Sequence, residues 1–173
     1  MDLQSKIRSI PDYPVKGILF RDITTLLRDG EAFSELISRM ADLISNKKVD
    51  VIVSPEARGF IVGAALAVKI GAGFIPLRKP NKLPSRVIRH EYELEYGKDI
   101  LEMHSDAINQ GDRVLIVDDL LATGGTIEAV ADMVEICGGK TIGACFSVEL
   151  IDLRGRERLK NIDVYSVIEL SGE

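Results

Sequence analysis

Residues Val114 to Thr126 read V-L-I-V-D-D-L-L-A-T-G-G-T. An apolar run ends in two carboxylates, Asp118 and Asp119. A small, hydroxyl-bearing, glycine-rich turn follows, and a helical pattern begins at Ile127. The chemistry these types support is anion binding. Gly124 and Gly125 can take positive φ at little cost and let the backbone approach an anion closely. Successive N–H groups in such a turn form a concave anion site. The next helix adds unpaired N–H donors and the positive end of its dipole. Thr123 and Thr126 add hydroxyls, and either could cap the helix. The turn contains no lysine, so it is not a P-loop of the G-x-x-x-x-G-K-[ST] kind, and the dinucleotide pattern G-x-G-x-x-G is also absent. Adjacent carboxylates at the end of a buried strand repel each other and need solvent, a cation or hydroxyl donors. Alone, the pair would read as a helix cap with a solvated neighbour. With T-G-G-T just beyond it, a ligand-facing role is favoured.

Three further segments carry chemistry. Ser54-Pro55-Glu56-Ala57-Arg58-Gly59 repeats the strand–turn–helix logic, and Arg58 at a helix start opposes the dipole unless an anion sits there. Leu77-Arg78-Lys79-Pro80-Asn81-Lys82 ends another apolar run in bases. From Ala57 to His90 there is no Asp or Glu, although the chain has a net charge of −5. An acid-free basic stretch in an acidic chain focuses an anionic ligand. The acidic balance argues against non-specific nucleic-acid binding.

The elements that must position these residues follow from periodicity. At 173 residues the chain is expected to be one domain, 1–173, with a hood segment at 1–30 and an inserted hairpin at 84–106. Its 46% hydrophobic and 28% charged content is that of a soluble globular protein. Phe33, Leu36, Ile37, Met40, Leu43 and Ile44 predict an amphipathic helix over 31–46. Short buried strands are expected at 51–53, 73–77, 114–117, 141–150 and 164–170, with helices over 59–69, from Ile127 to Gly138, and near 154–159. A short helix is expected at 3–9 and an extended run at 17–24. Strands alternating with helices imply a parallel, doubly wound α/β sheet. The stretch 86–104 breaks the alternation as two arms around Tyr96-Gly97-Lys98-Asp99, a candidate lid. No apolar span is long enough to cross a bilayer, and the N-terminus does not read as a signal peptide. Cys137 and Cys145 fall in apolar segments without C-x-x-C spacing, so a reduced, cytoplasmic chain without structural metal is expected.

The D-D…T-G-G-T stretch resembles the phosphoribosyl-diphosphate signature of the type I phosphoribosyltransferases. Four other motifs, in family order, resemble the adenine-using branch: P-E-A-R-G-F at 55–60, the basic run at 77–84, E-Y-G at 95–97, and G-I-L-F-R-D-I at 17–23. The resemblance implies that fold and transfer of phosphoribose from 5-phospho-α-D-ribose 1-diphosphate to adenine. It places Ala122, Thr123, Gly124, Gly125 and Thr126 at the 5′-phosphate, and Asp118 and Asp119 at the ribose, directly or through water on magnesium. Glu56, Ala57, Arg58, Arg78, Lys79, Lys82 and Tyr96 fall to the diphosphate, with a non-proline cis peptide at Glu56–Ala57. Leu19, Phe20 and Arg21 fall to the adenine slot, and Glu95 and Arg58 to catalysis. Without the rest of the pattern, Glu95 and Tyr96 would read as solvated hairpin residues. The resemblance also implies substrate-bound Mg2+ and a homodimer, with no nucleic-acid or membrane partner. Oxopurine enzymes of this type place a basic residue late in the chain, and Phe146 to Leu150 offer none, which favours adenine. Hypoxanthine, guanine or xanthine as the base, or a non-catalytic sensor of phosphoribosyl diphosphate, are the alternatives. His90 and His104 receive no functional role.

Overall fold

A computed structural model describes residues 1–94 and 97–171. The chain opens with a 3-10 turn at Gln4–Lys6, β1 (Arg8–Pro11) and β2 (Leu19–Asp22), which pair antiparallel. Then come α1 (Thr24–Arg28), α2 (Gly30–Leu43), β3 (Val51–Pro55), α3 (Arg58–Ile70) and β4 (Gly73–Leu77). An antiparallel pair, β5 (Val87–Leu94) and β6 (Gly97–His104), follows. The chain continues as β7 (Arg113–Leu121), α4 (Gly125–Ile136), β8 (Lys140–Leu150), α5 (Gly155–Arg158) and β9 (Val164–Leu170).

Five strands form one parallel sheet in the order β4-β3-β7-β8-β9. Side chains alternate between its faces, as strand geometry requires. Ile52, Leu115, Val117 and Cys145 pack with Val62 and Leu66 of α3 and Leu36 and Met40 of α2. Val53, Val114, Ile116 and Phe146 pack on the other face with Val130 and Met133 of α4 and with Leu101 and Met103 of β6. The sheet is therefore covered on both sides, which explains why its strands read as nearly continuous apolar runs. The chain builds outward from β3 to β4 on one side and from β7 to β9 on the other. That reversal between β3 and β7 opens a crevice at their carboxyl ends, where such sheets bind ligands.

The element boundaries follow local chemistry. Asp29 caps α2 by accepting the Ala32 N–H at 3.1 Å, and α3 stops at Gly71, left-handed with φ 73°. The helix expected over residues 3–9 is a single 3-10 turn. Beyond it Arg8 enters a strand, donating through Nε to Asp22 at 3.0 Å, and Pro11 ends that strand at an edge that tolerates a missing N–H. Gly97 to Asp99, expected in the hairpin turn, belong to β6, with Leu94 opposite Gly97. Tyr96, the other residue expected in that turn, lies outside the described residues. β7 also runs past Val117, so both aspartates sit on the strand itself.

Candidate active site

The turn after β7 is built as an anion cradle. Gly124 is left-handed, with φ 85°, and caps α4 without any side-chain hydrogen bond. No N-cap side chain therefore claims the first N–H donors of α4. A methyl group on Gly124 would lie 2.8 Å from the carbonyl oxygen of Gly155, and one on Gly155 would lie 2.4 Å from that of Ala122. The start of α5 therefore seats the turn through contacts that only glycine permits at both positions.

Asp118 and Asp119 stand at the mouth of the crevice. Burial, reinforced by the Asp119 charge, pushes the Asp118 carboxyl well above its ordinary range. Burial also raises Asp119, against the opposing pull of Arg58. The Arg58 Nε lies 3.0 Å from Asp119 Oδ2, an ion pair whose angle leaves that oxygen without a hydrogen bond. One aspartate is thus buried, charge-paired and still able to accept a donor. Gly59 makes this approach possible: a methyl group there would lie 2.7 Å from Asp118 Oδ1.

The loop after β3 faces them. Its Glu56–Ala57 peptide is cis, and Arg58 begins α3 with its guanidinium 5.2 Å from the centre of the Phe20 ring. Glu56 gathers the basic run. Its carboxylate accepts the Lys79 N–H at 2.6 Å and the Arg78 Nε at 3.1 Å, and Lys82 Nζ lies 3.5 Å away. Burial is the largest influence on Glu56 and acts upward, but these partners together hold its carboxyl below the ordinary value. The Glu56 side chain therefore faces cations and orients them. Lys79 pairs with Asp99, and the Tyr92 hydroxyl donates to the same carboxylate at 3.2 Å.

The resulting cleft holds about 200 Å³ and is lined by Glu56, Ala57, Arg58, Lys79, Tyr92, Asp99, Asp118, Asp119 and Thr126, with Pro55 and Leu101. A larger cavity of about 360 Å³ lies at the other end of the strands, beside Lys48, Arg113 and Lys140. It has bases but neither the aspartates nor the glycine turn. Phe20 lies under Arg58, which lines the cleft, with Tyr13 edge-on to it at 5.2 Å. Arg21 does not join it. Its guanidinium donates to Ser9 Oγ at 2.6 Å and to the Ser171 carbonyl at 2.7 Å and lines a separate cavity with Ser9 and Leu170. Alternation along β2 sends Arg21 to the face opposite Phe20. Glu95 and Tyr96 lie outside the described residues. Sequence reasoning gave no role to Tyr92 and Asp99. Counting in twos along the hairpin would have put Tyr92 on the face that meets α4.

A sequence profile of the phosphoribosyl transferase domain matches residues 23–172, and the chain belongs to that family. The fold is that of the type I phosphoribosyltransferases, a parallel sheet between helices with antiparallel hairpins attached. Among similar proteins, the adenine phosphoribosyltransferase of Clostridium perfringens strain SM101 is 56% identical over 169 residues, covering 98% of each chain. The crystal structure of adenine phosphoribosyltransferase from Thermoanaerobacter pseudethanolicus superposes with a TM-score of 0.95 at 51% identity, covering 98% of both chains. That of the Saccharomyces cerevisiae enzyme, complexed with an imino-altritol bisphosphate and adenine, gives 0.89 at 37% identity, covering 95% of this chain and 96% of the other.

Proposed function

We propose that this chain transfers the 5-phosphoribosyl group of 5-phospho-α-D-ribose 1-diphosphate to adenine, releasing diphosphate and forming AMP in purine salvage. The observation that carries the reading is the meeting of two strand–turn–helix units at one switch point. One presents a glycine anion cradle and two aspartates, and the other presents a cis loop and a cluster of bases. Full-length similarity to adenine phosphoribosyltransferases supports it.

In this reading Ala122–Thr126 hold the 5′-phosphate through backbone N–H groups and the start of α4. Asp118 and Asp119 accept from the ribose hydroxyls, and Asp119 Oδ2 brings an oxygen with no hydrogen bond of its own. Arg58, Arg78, Lys79 and Lys82 receive the diphosphate, with Glu56 setting their directions. As the bond from C1 to the diphosphate oxygen breaks, negative charge grows on the leaving group. Preplaced cations stabilise that charge more in the transition state than in the ground state. The purine N9 then bonds to C1 and gives up its proton, a task assigned to Glu95. Tyr96 and the 84–106 lid close over the diphosphate and exclude water. Phe20 and Leu19 form the apolar slot. Arg21 faces away, so the 6-amino group is left to backbone acceptors. The edge of β2 not paired with β1 offers them.

Magnesium fits as a substrate-borne ion. Mg2+ keeps several waters and takes one or two carboxylates plus phosphate oxygens. Asp118 and Asp119 supply such a pair, while no cluster of three metal-ligating side chains occurs among the described residues. When bound, Mg2+ neutralises diphosphate charge. Asp118 and Asp119 would hold its water shell. The chain acts as a cytoplasmic homodimer. The outer face of α3, with Ile61 and Val68 exposed, begins at Arg58 and suits the dimer contact.

Turnover with the sugar diphosphate and Mg2+ should be measured for adenine, hypoxanthine and guanine. Adenine should exceed the oxopurines in kcat/KM by at least about 100-fold, since a site built on unpaired polar groups rejects the wrong pattern strongly. Comparable use of guanine or hypoxanthine would sink the base assignment, and no turnover of any base would sink the transferase reading.

A further inference from the structure

The phosphate turn has no cation of its own, because Ala122–Thr126 contains neither lysine nor arginine. A phosphate monoester brings roughly two negative charges at neutral pH. The fold delivers a guanidinium to the turn from a distant part of the chain. A methyl group on Gly125 would lie 3.4 Å from Arg158 Nη1 and 3.6 Å from its Cζ. One on Gly124 would lie 3.5 Å from Arg158 Cβ. Arg158 therefore stands against the first residues of α4, beside the uncapped N–H donors.

Its orientation is set from one side. Arg158 Nε donates to Glu128 Oε2 at 2.6 Å. Among the described residues, that is its only hydrogen bond, so Nη1 and Nη2 keep their donors. Glu128 lies in the first turn of α4. A carboxylate there suits the helix dipole but repels a phosphate bound at the same end. Pairing with Arg158 cancels that repulsion. The planar fork of arginine lets Nε be anchored while the outer nitrogens address a second anion. A lysine in the same place would have to spend its single charged group on Glu128.

We propose that Arg158 binds the 5′-phosphate of the sugar donor and of the nucleotide product, donating through Nη1 and Nη2, with Glu128 as its positioning residue. The inference rests on the phosphoribosyl-transfer reading and adds a determinant for the 5′-phosphate to it.

The test is steady-state kinetics on the intact protein with adenine, the sugar diphosphate and Mg2+, for wild type, Arg158→Ala, Arg158→Gln, Arg158→Lys and Glu128→Gln/Arg158→Ala. If wild type shows no turnover, the transfer reading itself fails, whatever Arg158 does. With an active wild type, Arg158→Ala and Arg158→Gln should raise KM for the sugar diphosphate about ten-fold, the worth of one charge-assisted hydrogen bond at a half-open site. The inhibition constant of AMP should rise in parallel, KM for adenine should stay within about two-fold by the logic of lost uniform binding, and Arg158→Lys should recover little of the loss, because its one ammonium is taken by Glu128. Three results would each overturn the proposal. One is an unchanged KM for the sugar diphosphate in both Arg158→Ala and Arg158→Gln. Another is an equal rise in KM for adenine, the mark of a merely structural role. The third is full recovery in the double variant, which would reduce Arg158 to a neutraliser of Glu128.

Discussion

Arg58 serves three neighbours at once: the Asp119 carboxylate, the Phe20 ring and, in the proposed reaction, the departing diphosphate. Removing it should therefore be felt in chemistry more than in folding. Arg58→Ala is expected to lower kcat by about 100-fold or more, the usual cost of losing one preplaced charge at a developing anion. Arg58→Lys should recover little, because an ammonium neither stacks nor forks. The sign of the pH effect is also set. Arg58 is what pulls the Asp119 carboxyl down against burial. Without it that carboxyl rises further, so the residual activity of Arg58→Ala should fail at a higher pH on the acid side than wild type does. A pH profile of kcat/KM checks this, and an unmoved acid limb would contradict it. At this scale the sequence of strand, paired aspartates, glycine turn and helix start was legible, because these parts are contiguous in the chain. The direction of Arg21 was not, since pattern matching names residue types but ignores which face of a strand each occupies. Glu56 was legible as part of the loop, though not as the acceptor that aligns Arg78 and Lys79.

The elements show why the glycine turn after β7 has its shape. β7 ends at Leu121, the turn bends back at Gly124, and the start of α5 closes against both. The α5 region is itself tied down. Arg156 donates to both oxygens of the buried Glu149, at 2.7 and 2.6 Å, and to the Val164 carbonyl at 2.6 Å. That clamp holds Gly155 where a side chain cannot fit. Gly155→Ala should push the Ala122 carbonyl and misplace the cradle. The expected result is a KM for the sugar diphosphate at least about ten-fold higher with a stability loss of about 1–3 kcal/mol, the range for overpacking, measured by kinetics and denaturant unfolding. A fold-neutral, kinetically silent Gly155→Ala would show that the turn adjusts freely. The long strands were readable from apolar runs and the helices from their spacing. β1 was not, because Arg8–Pro11 has neither alternation nor length, and its pairing partner lies beyond two prolines. The extension of β6 to Gly97 was hidden for a related reason: glycine and charged residues read as turn, while cross-strand partners decide.

At the scale of the molecule, the strand order puts the two aspartates, the glycine turn and the cis loop at one end of the sheet and leaves the outer face of α3 exposed beside it. Val68 is 85% exposed and Ile61, on the same helix, is exposed as well, an apolar surface that a second copy would cover. A dimer through this face should show twice the chain mass in light scattering. Val68→Glu should shift it toward monomer, with activity falling as the diphosphate loop loses its support. A wild-type monomer with full activity would refute the arrangement. Topology of this kind was legible as a class, from alternating strand and helix patterns. The pairing of β3 with β7 was not, because nothing local in either strand states its neighbour. The guanidinium of Arg58 over the Phe20 ring finally bears on the sequence of events in turnover. In the proposed reaction, one side chain lies across both the slot for the base and the holder of the ribose, and the incoming diphosphate is the ligand expected to draw it aside. The sugar donor should load first and adenine second. An unreactive adenine analogue would then inhibit competitively against adenine and uncompetitively against the sugar diphosphate.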